Sequence, residues 1–252
     1  QAEDGIRDVE RSRGLGDVYK RQIKVLSSGS MADGTDYYID YTYSNSYPVW
    51  IDGRFGKALR FDGVDDYVKV PYLSVFNQNP FTIVGWMWCD VSKNDETFFA
   101  CGDNYAMDEL LHCVVRYKKP RLGFYADDLQ SSTELGLNQW HWLAYIWEGP
   151  VTKKQIIYIN GEKDCERVSD GLLSVETGAV TGNGSFIGRW GSNYHEGLID
   201  EVQVFNRALT PEEISDLYAN YGYTTPNYPN KVLVRKRVDP EPSINIGSEE
   251  IS

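Results

Sequence analysis

No stretch of this sequence is long and apolar enough to span a membrane, because it contains no run of about 18 apolar residues. Its first residues lack the apolar core of a secretory signal. Cysteine is sparse. Cys89, Cys101, Cys113 and Cys165 contain no close pair of the C-x2-C kind, so their spacing does not match a zinc site. Four thiols allow two bridges in three pairings or four free side chains, and spacing alone leaves both open. Histidine is scarcer still. His112, His141 and His195 are the full set, and none stands beside a Gly-x-Ser-x-Gly elbow. No glycine-rich phosphate loop occurs. No expected strand carries the alternating Glu-x-Asp-x-x-Glu pattern that sets two carboxylates on one face for sugar hydrolysis. Nothing here reads as an enzyme.

Positive charge is also short, with 25 Lys and Arg against 37 Asp and Glu, a net charge of -12. Residues 1–22 hold five of each sign and residues 223–252 hold four of each, so the whole excess falls on 23–222. That balance disfavours nucleic acid and anionic membranes as partners. It suits a cation or a neutral sugar, and it serves solubility equally well.

What is present is aromatic and β-forming. Aromatics make up 13% and hydrophobics 41% of the chain, enough for a sizeable core. One or two edge strands are expected between residues 23 and 55. Short strands then recur between turns: Leu59–Phe61, Tyr67–Val70, Phe81–Asp90, Thr97–Cys101, Leu110–Arg116, Arg121–Tyr125, His141–Trp147, Gln155–Ile159, Glu162–Arg167, Phe186–Arg189 and Leu198–Phe205. Asn160-Gly161 is placed for a type I′ hairpin turn. One helix is signalled by Thr210 as its cap, Pro211 in its first turn and Glu213 completing a capping box. Ile214, Leu217, Tyr218 and Tyr221 share its face, and Gly222 is placed to stop it. The fold class expected is all-β: a two-sheet antiparallel jelly-roll sandwich with one short C-terminal helix.

Residues 1–22 show no periodicity and look like translated sequencing-adapter read-through. The natural start of the protein is then expected to be missing. Residues 223–252 turn to Pro, Asn, Ser and charge, and read as a linker or disordered tail, leaving 23–222 as the domain. Asn183-Gly184-Ser185 forms a glycosylation triplet in a turn.

Carbohydrate binding needs flat rings to stack on sugars and polar groups to bind hydroxyls. The loop Arg189-Trp-Gly-Ser-Asn-Tyr-His-Glu offers Trp190, Asn193, Tyr194 and His195 between two strands. Tyr125 and Tyr105 lie at other turns. Trp86, Trp140 and Trp142 are expected in the core, as are the packed imidazoles of His112 and His141. The pair Asp127-Asp128 is a weaker cation candidate, since adjacent strand residues face opposite ways.

Five segments, in this order, resemble the laminin-G-like jelly roll of the concanavalin A-like superfamily. They are Phe55-Gly-Lys-Ala-Leu-Arg-Phe-Asp-Gly-Val-Asp-Asp-Tyr-Val, Phe81-Thr-Ile-Val-Gly-Trp, Asn138-Gln-Trp-His-Trp-Leu-Ala, Ile157-Tyr-Ile-Asn-Gly and Gly197 through Ile214. The resemblance runs from about Trp50 to Gly222. It implies non-catalytic recognition of a glycan or glycoprotein outside the cell, by one module of a longer multidomain chain. It also implies a structural calcium held by Asp200 of the Ile-Asp-x-Val segment with Asp62 and Gly63 of the early turn. The runner-up reading is a protein-protein adhesion or architectural module that associates through a sheet edge.

Overall fold

A computed structural model describes residues 48–219 except 55–56, 71–72, 103–104 and 176–183, together with the short pieces 21–22, 25–26 and 38–39. Most of the 1–22 segment, the 223–252 tail, Asn183, Tyr221 and Gly222 lie outside the described residues.

The strands are β1 (Arg21–Gln22), β2 (Val25–Leu26), β3 (Tyr38–Ile39), β4 (Val49–Asp52), β5 (Lys57–Asp62) and β6 (Val68–Val70). They continue with β7 (Phe81–Cys89), β8 (Glu96–Cys101), β9 (Leu111–Arg116), β10 (Lys119–Gly123), β11 (Asp128–Gln130) and β12 (Trp140–Trp147). The last are β13 (Lys154–Ile159), β14 (Glu162–Val168), β15 (Ser185–Ile187), β16 (Arg189–Trp190), β17 (Asn193–Tyr194) and β18 (Glu196–Phe205), followed by helix α1 (Pro211–Ala219).

Two antiparallel sheets face each other. The larger runs β14-β13-β12-β7-β18-β5-β4, with β2 lying parallel to the end of β18. The smaller runs β11-β10-β9-β8-β15-β6. Between them lies an aromatic core in which Phe61, Phe81, Phe99, Phe124, Tyr145 and Trp147 are fully buried. Alternation along each strand sends the neighbouring residues outward. On the larger sheet those outward residues, Trp86, Trp142, Ile146 and Tyr158 among them, meet Ile214 and Leu217 of α1 in a second apolar layer. The ring of Tyr218 stands 5.9 Å from Trp86 and 5.8 Å from Trp142.

The helix start is held as its sequence dictates. Glu213 N donates to Thr210 Oγ1 at 3.3 Å, and Thr210 N donates back to Glu213 Oε2 at 2.9 Å. Arg207 adds a two-pronged ion pair to Glu213 at 2.6 and 2.7 Å. Asn160 and Gly161 take φ of 52° and 82°, the left-handed pair a type I′ turn requires. All four cysteines are free, and Cys89, Cys101 and Cys113 are buried. The edge strand β14 is Glu-Lys-Asp-Cys-Glu-Arg-Val, and the register of its pairing shifts at Ile157/Tyr158. Charge and a bulge blunt that edge against another chain. Among the described residues, no helix is long and apolar enough to cross a membrane.

The structure refines the expected strands in two places. β10 ends at Gly123, so Tyr125 leaves the sheet in a turn. The expected loop 189–194 is itself a small hairpin, β16–β17.

Candidate functional site

The outer face of the six-stranded sheet carries one transverse row of paired residues: Lys69, Phe186, Ala100, His112, Gly123 and Asp128. His112 points outward because its neighbours Leu111 and Cys113 both point into the core. Its imidazole lies across β10, where any Cβ on Gly123 would overlap Nε2 and Cε1. Glycine at 123 is therefore required by close approach rather than by backbone conformation.

The β16–β17 hairpin lies over this row. Asn193 O accepts from Thr97 Oγ1 at 3.1 Å, and His195 N donates to Gly188 O at 2.8 Å at the hairpin base. Cross-strand partners share a face, so Trp190 pairs with Asn193 on one side and Arg189 with Tyr194 on the other. Trp190 rests on His112, with ring centroids 5.0 Å apart. Tyr105 stands edge-on to Trp190 at 5.9 Å and to Tyr125 at 5.8 Å. Three rings from three separate segments thus converge. They remain accessible: Tyr105 is 53% exposed, the nearby Met107 is 49% exposed, and Trp190 and Tyr125 are half-buried. Tyr125 and Ala126 hold φ of 56° and 69° without being glycine. Strain of this kind concentrates at functional sites.

Beneath the rings the floor is polar. Asp128 accepts from Arg121 Nη2 at 2.5 Å and from Phe124 N at 2.9 Å. His112 Nε2 is 3.8 Å from Asp128 Oδ1. Burial pushes His112 down to about 4 despite the opposing pull of Asp128 and Asp95, so its ring is uncharged near neutral pH. Three nitrogens here, His112 Nδ1, Trp190 Nε1 and Arg121 Nε, are buried without a hydrogen-bond partner. Each such atom costs about 1–3 kcal/mol unless something completes it.

Behind the Tyr125 turn, Asp127 is fully buried, ion-paired to Arg167 at 2.9 Å and bonded by Gly171 N at 3.0 Å. Burial and a hydrogen bond to Asp127 push Asp108 up to about 6. Asp108 N donates to Phe124 O at 2.6 Å, tying the loop that carries Tyr105 to the turn that carries Tyr125. The Asp108–Asp127 pair touches directly. A glycosidase needs its carboxylates about 5 Å or more apart, so this pair does not supply that chemistry.

The residues expected from sequence divide sharply. Trp190 and Tyr125 come together. Asn193 shares the Trp190 side, but Tyr194 turns away toward Arg189. His195 corrects the expectation outright. It is fully buried, with Nδ1 2.8 Å from Glu96 Oε2, and no ligand can reach it. It follows the hairpin and turns inward as β18 begins.

The calcium set does not fit one ion. Asp62 pairs with Glu196, while Asp200 lies four residues further along β18 beside Trp86. Four residues span about 13 Å, too far for ligands that each approach calcium to about 2.5 Å. Gly63 meanwhile faces Lys93, whose Nζ lies 2.9 Å from any Cβ added there. Asp62 forms a tight acidic turn with Asp65 and Asp66, its Oδ1 accepting from Val64 N at 2.8 Å. Asp200 packs instead against Gly53.

Sequence reasoning missed Arg121. It expected a packed or edge imidazole at His112, which lies buried beneath Trp190.

The family model for the concanavalin A-like lectin/glucanases superfamily matches residues 62–215. The chain belongs to that superfamily. No curated protein matches it. Among solved structures, domain 4 of AbnA, an extracellular arabinanase from Geobacillus stearothermophilus in complex with arabinotriose, is 23% identical. That match covers 68% of this chain and 81% of the arabinanase domain, with a TM-score of 0.55. The binding domain of Paraclostridial Mosquitocidal Protein 1 is 17% identical over 81% of this chain and 52% of its own, also at 0.55. The Ruminococcus gnavus sialidase module CBM40, bound to α2,3 sialyllactose, is 14% identical over 66% and 96%, at 0.50. At these identities the likeness is one of fold.

Proposed function

We propose that this superfamily member is a non-catalytic carbohydrate-binding module that holds a glycan or glycoprotein on the outer face of its smaller sheet. The observation that carries this reading is the convergence of Tyr105, Trp190 and Tyr125, rings that stay accessible above a polar floor. Rings stack on the apolar faces of sugars, and neighbouring polar groups take their hydroxyls. The fold is shared with modules solved in complex with arabinotriose and with sialyllactose, which supports the reading. Such a module would act outside the cell as part of a longer multidomain chain. The acidic surface argues against nucleic acid as partner.

Binding to an oligosaccharide panel by titration calorimetry tests the proposal. Trp190→Ala is expected to weaken binding at least about tenfold, a loss of about 1.4 kcal/mol or more, while the melting midpoint moves little. A large fall in the midpoint with affinity per folded molecule unchanged would mark Trp190 as a packing residue and end this reading. The alternative of an architectural module pairing through a sheet edge is disfavoured at β14, which is charged and bulged.

A further inference from the structure

The other side of the β16–β17 hairpin carries a second cluster of rings, built around a cation. Successive strand residues face opposite ways, so Arg189 and its cross-strand partner Tyr194 turn from the Trp190 side. The Arg189 guanidinium lies over Tyr67 at 4.8 Å, Phe186 at 5.3 Å and Tyr194 at 5.8 Å. Tyr67 and Phe186 stand edge-on to each other at 5.9 Å, and all three rings are half-buried. Arg189 Nε donates to Gly191 O at 3.1 Å, which fixes the plane of the group.

This guanidinium lacks what the other arginines have. Arg60 is held by Asp90, Arg116 by Asp95, Arg121 by Asp128, Arg167 by Asp127 and Arg207 by Glu213. Arg189 has no acidic partner among the described residues, in a chain where 37 acids face 25 bases. Its Nη1 and Nη2 make no hydrogen bond among the described residues, and neither is sealed from solvent. Asp66, next to Tyr67 in the chain, is occupied elsewhere: its Oδ2 accepts from Asp62 N at 2.9 Å. Lys69 adds a second unmatched charge among the described residues. It is exposed, pairs across strands with Phe186 and runs its stem along Gly184.

Rings hold a guanidinium by its face and leave the N–H groups at its edge unused. With Nε committed, the edge left over is the planar Nη1/Nη2 fork, which matches the two oxygens of a carboxylate. We propose that Arg189, walled by Tyr67, Phe186 and Tyr194, is a carboxylate subsite that takes a uronate or sialate residue of the bound glycan. This rests on the carbohydrate-binding reading above and names the class of sugar. Surrounding acids screen out polyanions, while one carboxylate meets a local positive field.

The test titrates the protein with uronate- and sialate-bearing oligosaccharides, their methyl esters, neutral chains of equal length and sulfated ones. The free carboxylates are expected to bind at least about tenfold more tightly than the esters and neutral chains. That preference should fall as ionic strength rises. Arg189→Gln is expected to abolish it while neutral sugars bind as before. Arg189→Lys, which keeps the charge without the fork, should retain only a small part of it. The ester comparison uses the unaltered protein, so it decides the matter even if the variants do not fold. Equal binding of acid and ester, or a preference surviving in Arg189→Gln, overturns this inference while the carbohydrate-binding reading stands. So does a lower melting midpoint in Arg189→Gln with acidic and neutral sugars weakened equally, which would make Arg189 a fastener of the rings. Sulfated chains binding as tightly as carboxylated ones would overturn the carboxylate assignment. Failure of every sugar to bind overturns both readings.

Discussion

The two outer faces of this sandwich are finished in opposite ways. The larger sheet is closed by α1, and what meets there is almost wholly apolar: Trp86, Trp142 and Ile146 against Ile214 and Leu217. The smaller sheet is overlain by a short hairpin, and what meets there is mixed: His112, Asp128 and Arg121 beneath Trp190 and Tyr105. One face removes water and gains stability. The other keeps rings exposed above polar and charged side chains. In the proposed reading, stability and recognition therefore fall to different sheets.

That contrast can be broken from either side. The largest effect is expected at the helix-covered face. Leu217→Ala should destabilise by about 2–5 kcal/mol, because it leaves a cavity in a fully buried layer. Chemical denaturation measures the loss, and sugar affinity per folded molecule should not change. Thr210→Ala removes the helix cap and should cost about 1 kcal/mol by the same measurement. If either substitution lowered affinity in the folded protein, the two faces would be coupled and the contrast would fail.

At the other face, Asp108 provides a titratable probe. Burial and Asp127 raise its carboxyl to about 6, above its ordinary 3.8. A raised acid favours the folded state when protonated. Its contribution is therefore full below pH 3.8 and lost as pH rises through about 6. Asp108→Asn mimics the protonated form. It should raise the melting midpoint at pH 7 to 8 and leave it unchanged at pH 4. An equal shift at both pH values would show that charge repulsion at the Asp108–Asp127 contact is not the cause. The smallest effect is expected at the acidic turn. Because Asp62 and Asp200 cannot share an ion, Asp62→Asn and Asp200→Asn should not both abolish a calcium response of the midpoint. A response abolished equally by either change would overturn the geometric separation.

The frame of this molecule was legible in its sequence because its signals are local. Thr210, Pro211 and Glu213 specify a helix start within four residues, and Asn160-Gly161 specifies a turn within two. The near-continuous apolar run of Phe81 through Cys89 specifies a central strand buried on both faces. The site was legible only in part. Trp190 and Tyr125 stood out as rings at turns. Tyr105 joins them through a contact that no spacing encodes, across 85 residues of chain separating it from Trp190. His195 misled because a histidine beside an exposed tryptophan reads as a neighbour in space. The hairpin instead sends it inward to Glu96, a partner 99 residues away. Asp62 and Asp200 misled for a similar reason: their strands do pair, but the register that separates them is a property of the whole sheet.

The position of β18 has a consequence for how the chain assembles. It is the last strand among the described residues, yet it sits in the middle of the larger sheet, between β7 and β5. Its partners lie roughly 110 to 140 residues earlier. Until it emerges, β7 and β5 each present an unmatched row of backbone groups around an apolar interior. A nascent chain therefore reaches β18 with two half-sheets awaiting a keystone, and closes them late. The interval before that step is when it is most exposed to pairing with another copy of itself.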